Sequence, residues 1–276
     1  MISVTGGAIC LRSAFFMSCT MTHAHAIPIL QDNYVWCWPA ADGASAWVVD
    51  PGEAAPVLAH VQARGWQLAG ILVTHWHPDH IGGIPALLEA APCPVIGPAA
   101  EADRIPTLTQ EVRGGDVLDL PIGRVRVIDV PGHTLGHIAF LLDDWLFCGD
   151  TLFCGGCGRL FEGTPEQMLA SLTRLADLPA DTRVACTHEY TLANLRFAAA
   201  VEPDNATLRA FRDQAQALRD QGKPTLPSTL GRERAINPFL RTDQPSVQAA
   251  ARARAGRSLA TQAQVFAEIR GWKDQF

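Results

Sequence analysis

Residues 74–80 read THWHPDH, directly after the apolar run 70–73 and shortly before the glycine pair Gly82 and Gly83. Three histidines and one aspartate stand within six consecutive positions of this stretch. Pro78 and the glycine pair favour a loop at the end of a strand, where side chains can converge on one point. Imidazole and carboxylate groups are the usual ligands of zinc and similar ions. The stretch therefore predicts a metal site on a strand-end loop.

Further residues of ligand type follow three later predicted strands. They are His133, Asp150 and His188. A lone histidine in such a position is more often packed or capping, but three equivalent positions make a collective case. One tetrahedral catalytic ion needs three protein ligands and an open position. The candidates exceed that number, which predicts two ions: His75, His77, Asp79, His80, His133, Asp150 and His188.

The predicted arrangement gives three ligands to each ion: His75, His77 and His133 to one, and Asp79, His80 and His188 to the other. The Asp150 carboxylate bridges the two ions at a separation of about 3.5–4 Å. A water shared by the ions ionises near neutral pH, and the ions polarise a substrate carbonyl and stabilise the resulting oxyanion. Asp79 can also assist proton transfer, so Asp79 and Asp150 are the expected catalytic residues. Zinc is the default metal, although iron and manganese accept the same ligands.

The remainder of the chain mixes short strands with helices, which is typical of an α/β protein. Strands are predicted over 34–38, 46–49, 71–73, 125–130, 138–142 and 145–148, and helices over 56–64 and 84–91. After about Tyr190 the strand pattern ends, and helices are predicted over 193–201, 205–221, 246–255 and 261–272. Pro224, Pro227 and Gly231 predict a loop between them. We expect a catalytic domain over 21–190 and a helical domain over 191–276.

Composition excludes several classes of partner. The 276-residue chain has a formal charge of −6, so a nucleic-acid partner is not expected. No window approaches the roughly 18 uncharged apolar residues of a membrane helix. Eight scattered cysteines favour a reducing cytoplasm, and a monomer is the default. Residues 1–20 are apolar, and a spurious start upstream of Met21 is favoured over a targeting segment.

Residues 74–80 resemble the signature loop of the metallo-β-lactamase superfamily. His133, Asp150 and His188 follow in that superfamily's order, and Asp50 resembles its early strand-end aspartate. The resemblance covers residues 22–190. It implies a four-layer αββα sandwich, here with a C-terminal helical domain.

Four further stretches resemble the glyoxalase II family: 31–34, 155–164 (GGCGRLFEGT), 188–191 (HEYT) and 270–276. The family resemblance implies hydrolysis of the thioester S-D-lactoylglutathione to glutathione and D-lactate, the second step of methylglyoxal detoxification. It also implies that the glutathione part is bound by Arg159, Phe161, Tyr190, Arg270 and Lys273. The two carboxylates of glutathione call for arginine and lysine partners. Phe161 stands where some relatives carry tyrosine, which puts one hydrogen bond to the substrate in doubt.

Three alternatives to thioester hydrolysis each leave part of the sequence unexplained. A persulfide dioxygenase of the same superfamily uses one iron, but it leaves the helical C-terminal part and HEYT unexplained. A non-catalytic metal- or thiol-binding module predicts a missing ligand, and none is missing. A lactonase or β-lactamase does not need the basic C-terminus.

Several residues outside the main pattern receive other roles. The C-x-x-C at 154–157 is interpreted as mainly structural, because it lies in a glycine-rich loop and not at a helix start. Glu189 either orients a ligand or faces water. Surface or supporting roles are expected for the histidines without strand-end context: His23, His25, His60 and His137.

Overall fold

The computed structural model describes residues 23–276, so the predicted extension 1–20 lies outside the described residues. The strands within that range are β1 His25–Ile29, β2 Asn33–Pro39, β3 Ser45–Val49, β4 Gln67–Leu72, β5 Val95–Pro98, β6 Gln110–Val112, β7 Val117–Leu120, β8 Gly123–Asp129, β9 Ile138–Leu142, β10 Trp145–Gly149, β11 Leu152–Phe153, β12 Gly156–Cys157, β13 Arg183–Cys186 and β14 Ser228–Thr229. The helices are α1 Ala54–Ala63, α2 Pro78–Ile81, α3 Ile84–Ala90, α4 Pro165–Ala176, α5 Thr191–Val201, α6 Ala206–Asp220, α7 Leu230–Ile236, α8 Pro245–Ala255 and α9 Gln262–Asp274. Two 3₁₀ turns, Ala99–Arg104 and Pro238–Leu240, complete the elements.

Two mixed sheets of six strands face each other, in the orders β1-β2-β3-β4-β5-β6 and β14-β13-β10-β9-β8-β7. Alternate side chains of a strand point to opposite faces, and β2 buries both of its faces. Trp36 and Trp38 pack between the sheets, where the Trp38 ring lies 5.8 Å from that of Trp145. Val35 and Cys37 join a second core with α1 and α3. With α4 packed on the second sheet, this confirms the predicted four-layer sandwich.

The sequence analysis did not predict helix α4, although the sequence contains a capping signal for the start of this helix. Thr164 and Gln167 form a capping box, with Thr164 N–H donating to Gln167 Oε1 at 2.9 Å. Pro165 occupies the first helical turn, where its missing N–H costs nothing. The stretch TPEQ was therefore a readable helix signal.

The chain after Tyr190 is mostly helical, as expected. Leu208, Phe211 and Ala215 form the buried face of α6. The predicted loop around Gly231 is wrong at that residue, because Gly231 lies inside α7. Strand β14 pairs with β13 of the second sheet, so the helical segment also adds an edge strand to the sandwich. The boundary near residue 190 stays a prediction.

In the part of the chain described, no helix is long and apolar enough to cross a membrane.

Candidate metal centre

The stretch 74–80 leaves the end of β4 and finishes in the short helix α2, so part of the predicted loop is a helical turn. Asp50, at the end of β3, anchors its start. One carboxylate oxygen of Asp50 accepts the Thr74 backbone N–H at 2.8 Å, and the other accepts the Thr74 hydroxyl at 2.7 Å. Asp50 Oδ2 also lies 3.0 Å from His80 Nδ1. This contact directs the opposite nitrogen, Nε2, toward the centre of the cluster.

The first group of candidate ligands consists of three imidazoles. His75 Nε2 lies 3.1 Å from His77 Nδ1, and His133 Nε2 lies 3.0 Å from the same atom. Ligand atoms at about 2.0–2.1 Å from a tetrahedral ion stand about 3.3 Å apart. The three nitrogens therefore have the spacing of ligands around a single ion.

The second group combines two imidazoles with one carboxylate. Asp79 Oδ2 lies 3.5 Å from His80 Nε2 and 3.4 Å from His188 Nε2. The ligand atoms of these residues all fall within 4.8 Å of one another. This group has the composition of a second site.

Asp150 lies between the two groups. Its Oδ1 is 3.4 Å from both His80 Nε2 and His188 Nε2, while its Oδ2 is 3.5 Å from His133 Nε2. His80 Nε2 and Asp150 Oδ1 are buried and make no hydrogen bond with each other or with other described residues. Unpaired buried polar atoms are costly, and a shared ion would satisfy both. The residues present thus fit a group of bound metal ions.

The protonation of the cluster also suits metal binding. Burial, reinforced by His80, holds the pKa of His75 well below its ordinary value, so His75 is neutral at pH 7. Burial opposes charge on His80, but Asp150 and Asp50 outweigh it and raise the His80 pKa. Burial likewise opposes charge on Asp150, yet His188 and His80 hold its pKa well below the usual range. Metal binding would therefore displace a proton from His80.

Outer hydrogen bonds orient the remaining ligands. His188 Nδ1 lies 2.9 Å from Asp32 Oδ1, and His133 Nδ1 lies 2.9 Å from the Arg159 carbonyl oxygen. Asn33 Nδ2 donates to Asp79 Oδ2 at 3.0 Å. Such partners fix the imidazole tautomer and the direction of the ligand.

His137 and Glu101 belong to this supporting layer. A surface or supporting role was expected for His137, whereas the sequence analysis gave Glu101 no role. His137 is buried and stacks on His75 with ring centroids 4.5 Å apart. Its Nδ1 donates to the Ile138 carbonyl and its Nε2 accepts the Asp150 N–H at 3.1 Å. Glu101 accepts the Trp76 N–H at 2.7 Å and bonds the Thr134 hydroxyl, which ties two ligand loops together. No sequence signal marks Glu101, which precedes Thr134 by 33 positions.

Changing Asp50 to alanine is expected to lower metal affinity about 10- to 100-fold, because His80 loses the partner that orients it. Competition with a chromophoric chelator measures this directly. Asp42→Ala is the matched control, since Asp42 also accepts hydrogen bonds, but in an exposed turn at Ala44 and Ser45. Equal metal affinity of the Asp50→Ala and unmodified proteins would refute the orienting role.

A cavity of about 480 Å³ opens beside the cluster, with His133 and Asp150 in its wall. The structure places all the predicted substrate-binding residues around it: Arg159, Phe161, Tyr190, Arg270 and Lys273. The acidic chain thus keeps three cationic side chains on one concave surface next to the candidate metal site.

Of the two C-terminal cations, Arg270 is buried and Lys273 is half-buried. Arg270 is only 5% exposed, donates to the Cys157 carbonyl oxygen at 2.9 Å, and stacks over Phe239. Lys273 donates to the Ala193 carbonyl oxygen at 3.3 Å. Burial, together with the charges of Arg270 and Arg196, lowers the pKa of Lys273 to about 8.

Aromatic rings flank the cluster on two sides. Tyr190 stacks on His188 at 4.6 Å between centroids and 7° between planes. Phe161 is 62% exposed and sets its ring against His77 and His133 at 5.5 Å and 5.2 Å. A substrate entering the cavity would meet these rings before the ligands.

The structure also decides the roles of two secondary features. Glu189 is 6% exposed at its side chain and accepts the Tyr34 hydroxyl at 3.0 Å, so the suggestion that it faces water is wrong. Cys154 and Cys157 are buried in the β11–β12 hairpin. Burial raises the pKa of Cys157 to about 11, which leaves little thiolate for redox chemistry.

Comparison with known proteins divides the chain between two family models. The metallo-beta-lactamase superfamily model matches residues 31–188, and the model named hydroxyacylglutathione hydrolase C-terminus matches residues 189–276. A hydroxyacylglutathione hydrolase of Cupriavidus taiwanensis is 53% identical over 270 residues, covering 93% of this chain and 100% of the relative. One of Alkalilimnicola ehrlichii is 54% identical over 257 residues, covering 92% and 100%.

Solved structures share the fold at lower identity. TTHA1623 in a di-iron-bound form is 27% identical with a TM-score of 0.57, covering 79% of this chain and 100% of that one. ETHE1 from Myxococcus xanthus is 22% identical with a TM-score of 0.63, covering 91% of each chain. The second likeness shows the fold alone.

Proposed function

Since the chain belongs to the hydroxyacylglutathione hydrolase family of the metallo-β-lactamase superfamily, we propose that it hydrolyses S-D-lactoylglutathione to D-lactate and glutathione at a centre of two divalent ions. The position of Asp150 is the observation that best supports a centre of two ions. One of its carboxylate oxygens lies 3.4 Å from His80 and the other 3.5 Å from His133. A carboxylate that bridges two ions requires such a placement.

The proposed ligand sets follow the two groups of side chains: His75, His77 and His133 for one ion, Asp79, His80 and His188 for the other, with Asp150 shared. Zinc is the proposed metal, and iron or manganese would fit the same donors. The di-iron form of TTHA1623 supports a binuclear centre on this fold.

When bound, the ions supply an activated water and polarise the thioester carbonyl. We propose that Asp79 assists the transfer of the proton that this water loses while it serves as a ligand, since its side chain is 36% exposed and can pass the proton to solvent. Burial raises the pKa of Asp79, but the hydrogen bond with His188 and the charge of His80 outweigh burial and lower it, which keeps the carboxylate ionised. The C–S bond breaks, the acyl carbon keeps the water oxygen, and glutathione leaves as the thiol after taking up a proton.

The cavity residues are proposed to bind the glutathione part. Arg159, Arg270 and Lys273 would pair with its carboxylates, while Tyr190 and Phe161 would form the walls beside the reacting thioester. Phe161 lacks a hydroxyl, so its contact is apolar. A monomeric cytoplasmic enzyme without nucleic-acid or membrane partners stays a prediction from the sequence.

The Lys273 pKa of about 8 predicts a pH dependence of substrate binding. A lysine is charged below its pKa, so raising the pH through about 8 removes a carboxylate partner. KM for the thioester should then rise, by about tenfold once Lys273 is neutral. Steady-state kinetics between pH about 7 and 9 measures this. Lys273→Met should give a KM that is high throughout and flat in this range, and a flat profile of the unmodified protein would contradict the assignment.

The competing activity, a mono-iron persulfide dioxygenase, is tested beside the proposed one. Loss of thioester absorbance is followed with S-D-lactoylglutathione, and oxygen uptake with glutathione persulfide, on the same metal-loaded protein. We expect rapid thioester hydrolysis and no oxygen uptake. Oxygen uptake without hydrolysis would reverse the assignment.

A further inference from the structure

The hairpin β11–β12 forms part of the cavity wall beside the candidate metal centre. It begins two residues after Asp150 and ends two residues before Arg159. Phe153 and Cys157 of the hairpin line the cavity. Its tip residue Gly155 has a φ of +67°, a conformation that side-chain-bearing residues rarely adopt. A displaced hairpin would therefore alter the cavity wall.

Two fully buried residues of the C-terminal segment hold this hairpin by its backbone. Glu233 accepts the Gly155 N–H at 2.8 Å. The Asn237 side-chain amide donates to the carbonyl oxygens of Phe153 and Gly156, at 3.1 and 2.9 Å, on opposite arms of the hairpin. Asn237 also donates to Glu233 at 3.1 Å, so the two residues that bind the hairpin are linked to each other. Both have 0% exposed surface, so water cannot replace these bonds.

The same segment contacts two more backbone oxygens of the hairpin. Asn194 donates to the Cys154 carbonyl oxygen at 3.1 Å, and Arg270 donates to the Cys157 carbonyl oxygen at 2.9 Å. Arg270 Nε is buried and has no hydrogen-bond partner among the described residues. The Cys157 carbonyl oxygen thus helps to set the position of the guanidinium group of Arg270, a residue that lines the cavity.

The carboxylate of Glu233 is fully buried. It forms no salt bridge with any residue of 23–276. Its donors are the Gly155 N–H, the Ser228 hydroxyl and the Asn237 amide. A buried carboxylate is costly unless several donors satisfy it, so this group constrains the donors to one geometry.

We propose that Glu233 and Asn237 are positioning residues for the glutathione part of the substrate. They hold the hairpin so that the Cys157 carbonyl oxygen keeps the Arg270 guanidinium in the cavity wall. The inference rests on the proposed function for the identity of the ligand. It assigns to two residues outside the cavity a role in affinity and not in the chemical step.

The test uses the metal-loaded full chain with Asn237→Asp, which keeps the size of the side chain but removes both donors. Glu233→Gln is the milder second variant, because its amide oxygen can still accept the Gly155 N–H. KM and kcat are measured with S-D-lactoylglutathione, and Kd with S-methylglutathione, a thioether that cannot be hydrolysed. We expect KM and Kd to rise about tenfold in Asn237→Asp, with kcat within about twofold and the bound metal unchanged. Glu233→Gln should give a smaller rise.

Asn205→Ala is the matched control. Asn205 also makes two hydrogen bonds in the helical segment, to Leu208 N–H and the Ala235 carbonyl oxygen, but it does not touch the hairpin. It should lower Tm without changing Kd. An unchanged Kd in both test variants, or an equal rise in Asn205→Ala, would overturn the positioning role. Binding of the thioether without turnover of the thioester would instead reject the proposed function and leave the positioning role standing.

Discussion

Asp150→Ala is expected to lower kcat by at least about a thousandfold while the chain stays folded. The two carboxylate oxygens of Asp150 approach different groups, at 3.4 Å from His188 and 3.5 Å from His133. In the proposed centre, its removal would take one ligand from each ion and a negative charge from between them. Steady-state turnover, metal content and circular dichroism measure the three consequences.

Asp144→Ala is the control for Asp150→Ala. Asp144 is an exposed carboxylate between β9 and β10 that pairs with Arg183 at 3.2 Å, so its loss should change neither metal content nor turnover. If Asp150→Ala kept both ions and a kcat near that of the unmodified protein, the bridging role would be wrong.

Arg270→Ala is expected to raise KM about 30- to 100-fold with a much smaller effect on kcat. Arg270 is 5% exposed and lines the cavity, and its guanidinium is bonded to the Cys157 carbonyl oxygen and to Asp274 at 2.9 Å each. A carboxylate bound there would gain a desolvated, charge-assisted hydrogen bond. Arg270→Lys should recover only part of the affinity, because an ammonium group cannot reproduce the planar donor set.

Arg254→Ala provides the comparison for Arg270→Ala. Arg254 also stacks on an aromatic ring, at 5.5 Å over Trp272, and bonds Gln275, but it lies outside the cavity. Its loss should leave KM unchanged. A KM of Arg270→Ala equal to that of Arg254→Ala would mean that the buried guanidinium serves folding alone.

The metal cluster was predictable because its ligands follow strands. The ends of β4, β8, β10 and β13 meet at one edge of the sandwich, so residues such as His133 and Asp150 converge although they lie far from residues 74–80 in sequence. Resemblance to a family then added the cavity residues, including Arg270 and Lys273, which without the resemblance would be interpreted as part of an ordinary solvated helix end. Arg270 is the clearest case, because its burial depends on contacts with Phe239 and the hairpin.

The supporting residues could not be read from the sequence in the same way. Glu101, Glu233 and Asn237 act through backbone groups that are distant along the chain, and nothing in the local sequence shows which backbone group lies beside them. For His137 the sequence predicted a surface or supporting role, but it did not show that the ring stacks on His75. Helix α4 could have been predicted from the sequence, because its capping box consists of neighbouring residues.

The most direct test of the two-metal thioesterase is a titration. Protein stripped by a chelator receives zinc in steps, and hydrolysis of S-D-lactoylglutathione is measured against the number of ions bound per chain. We expect no turnover without metal and a rate that reaches its maximum only when two ions are bound. Full turnover in the stripped protein, or no turnover with two ions bound, would contradict it.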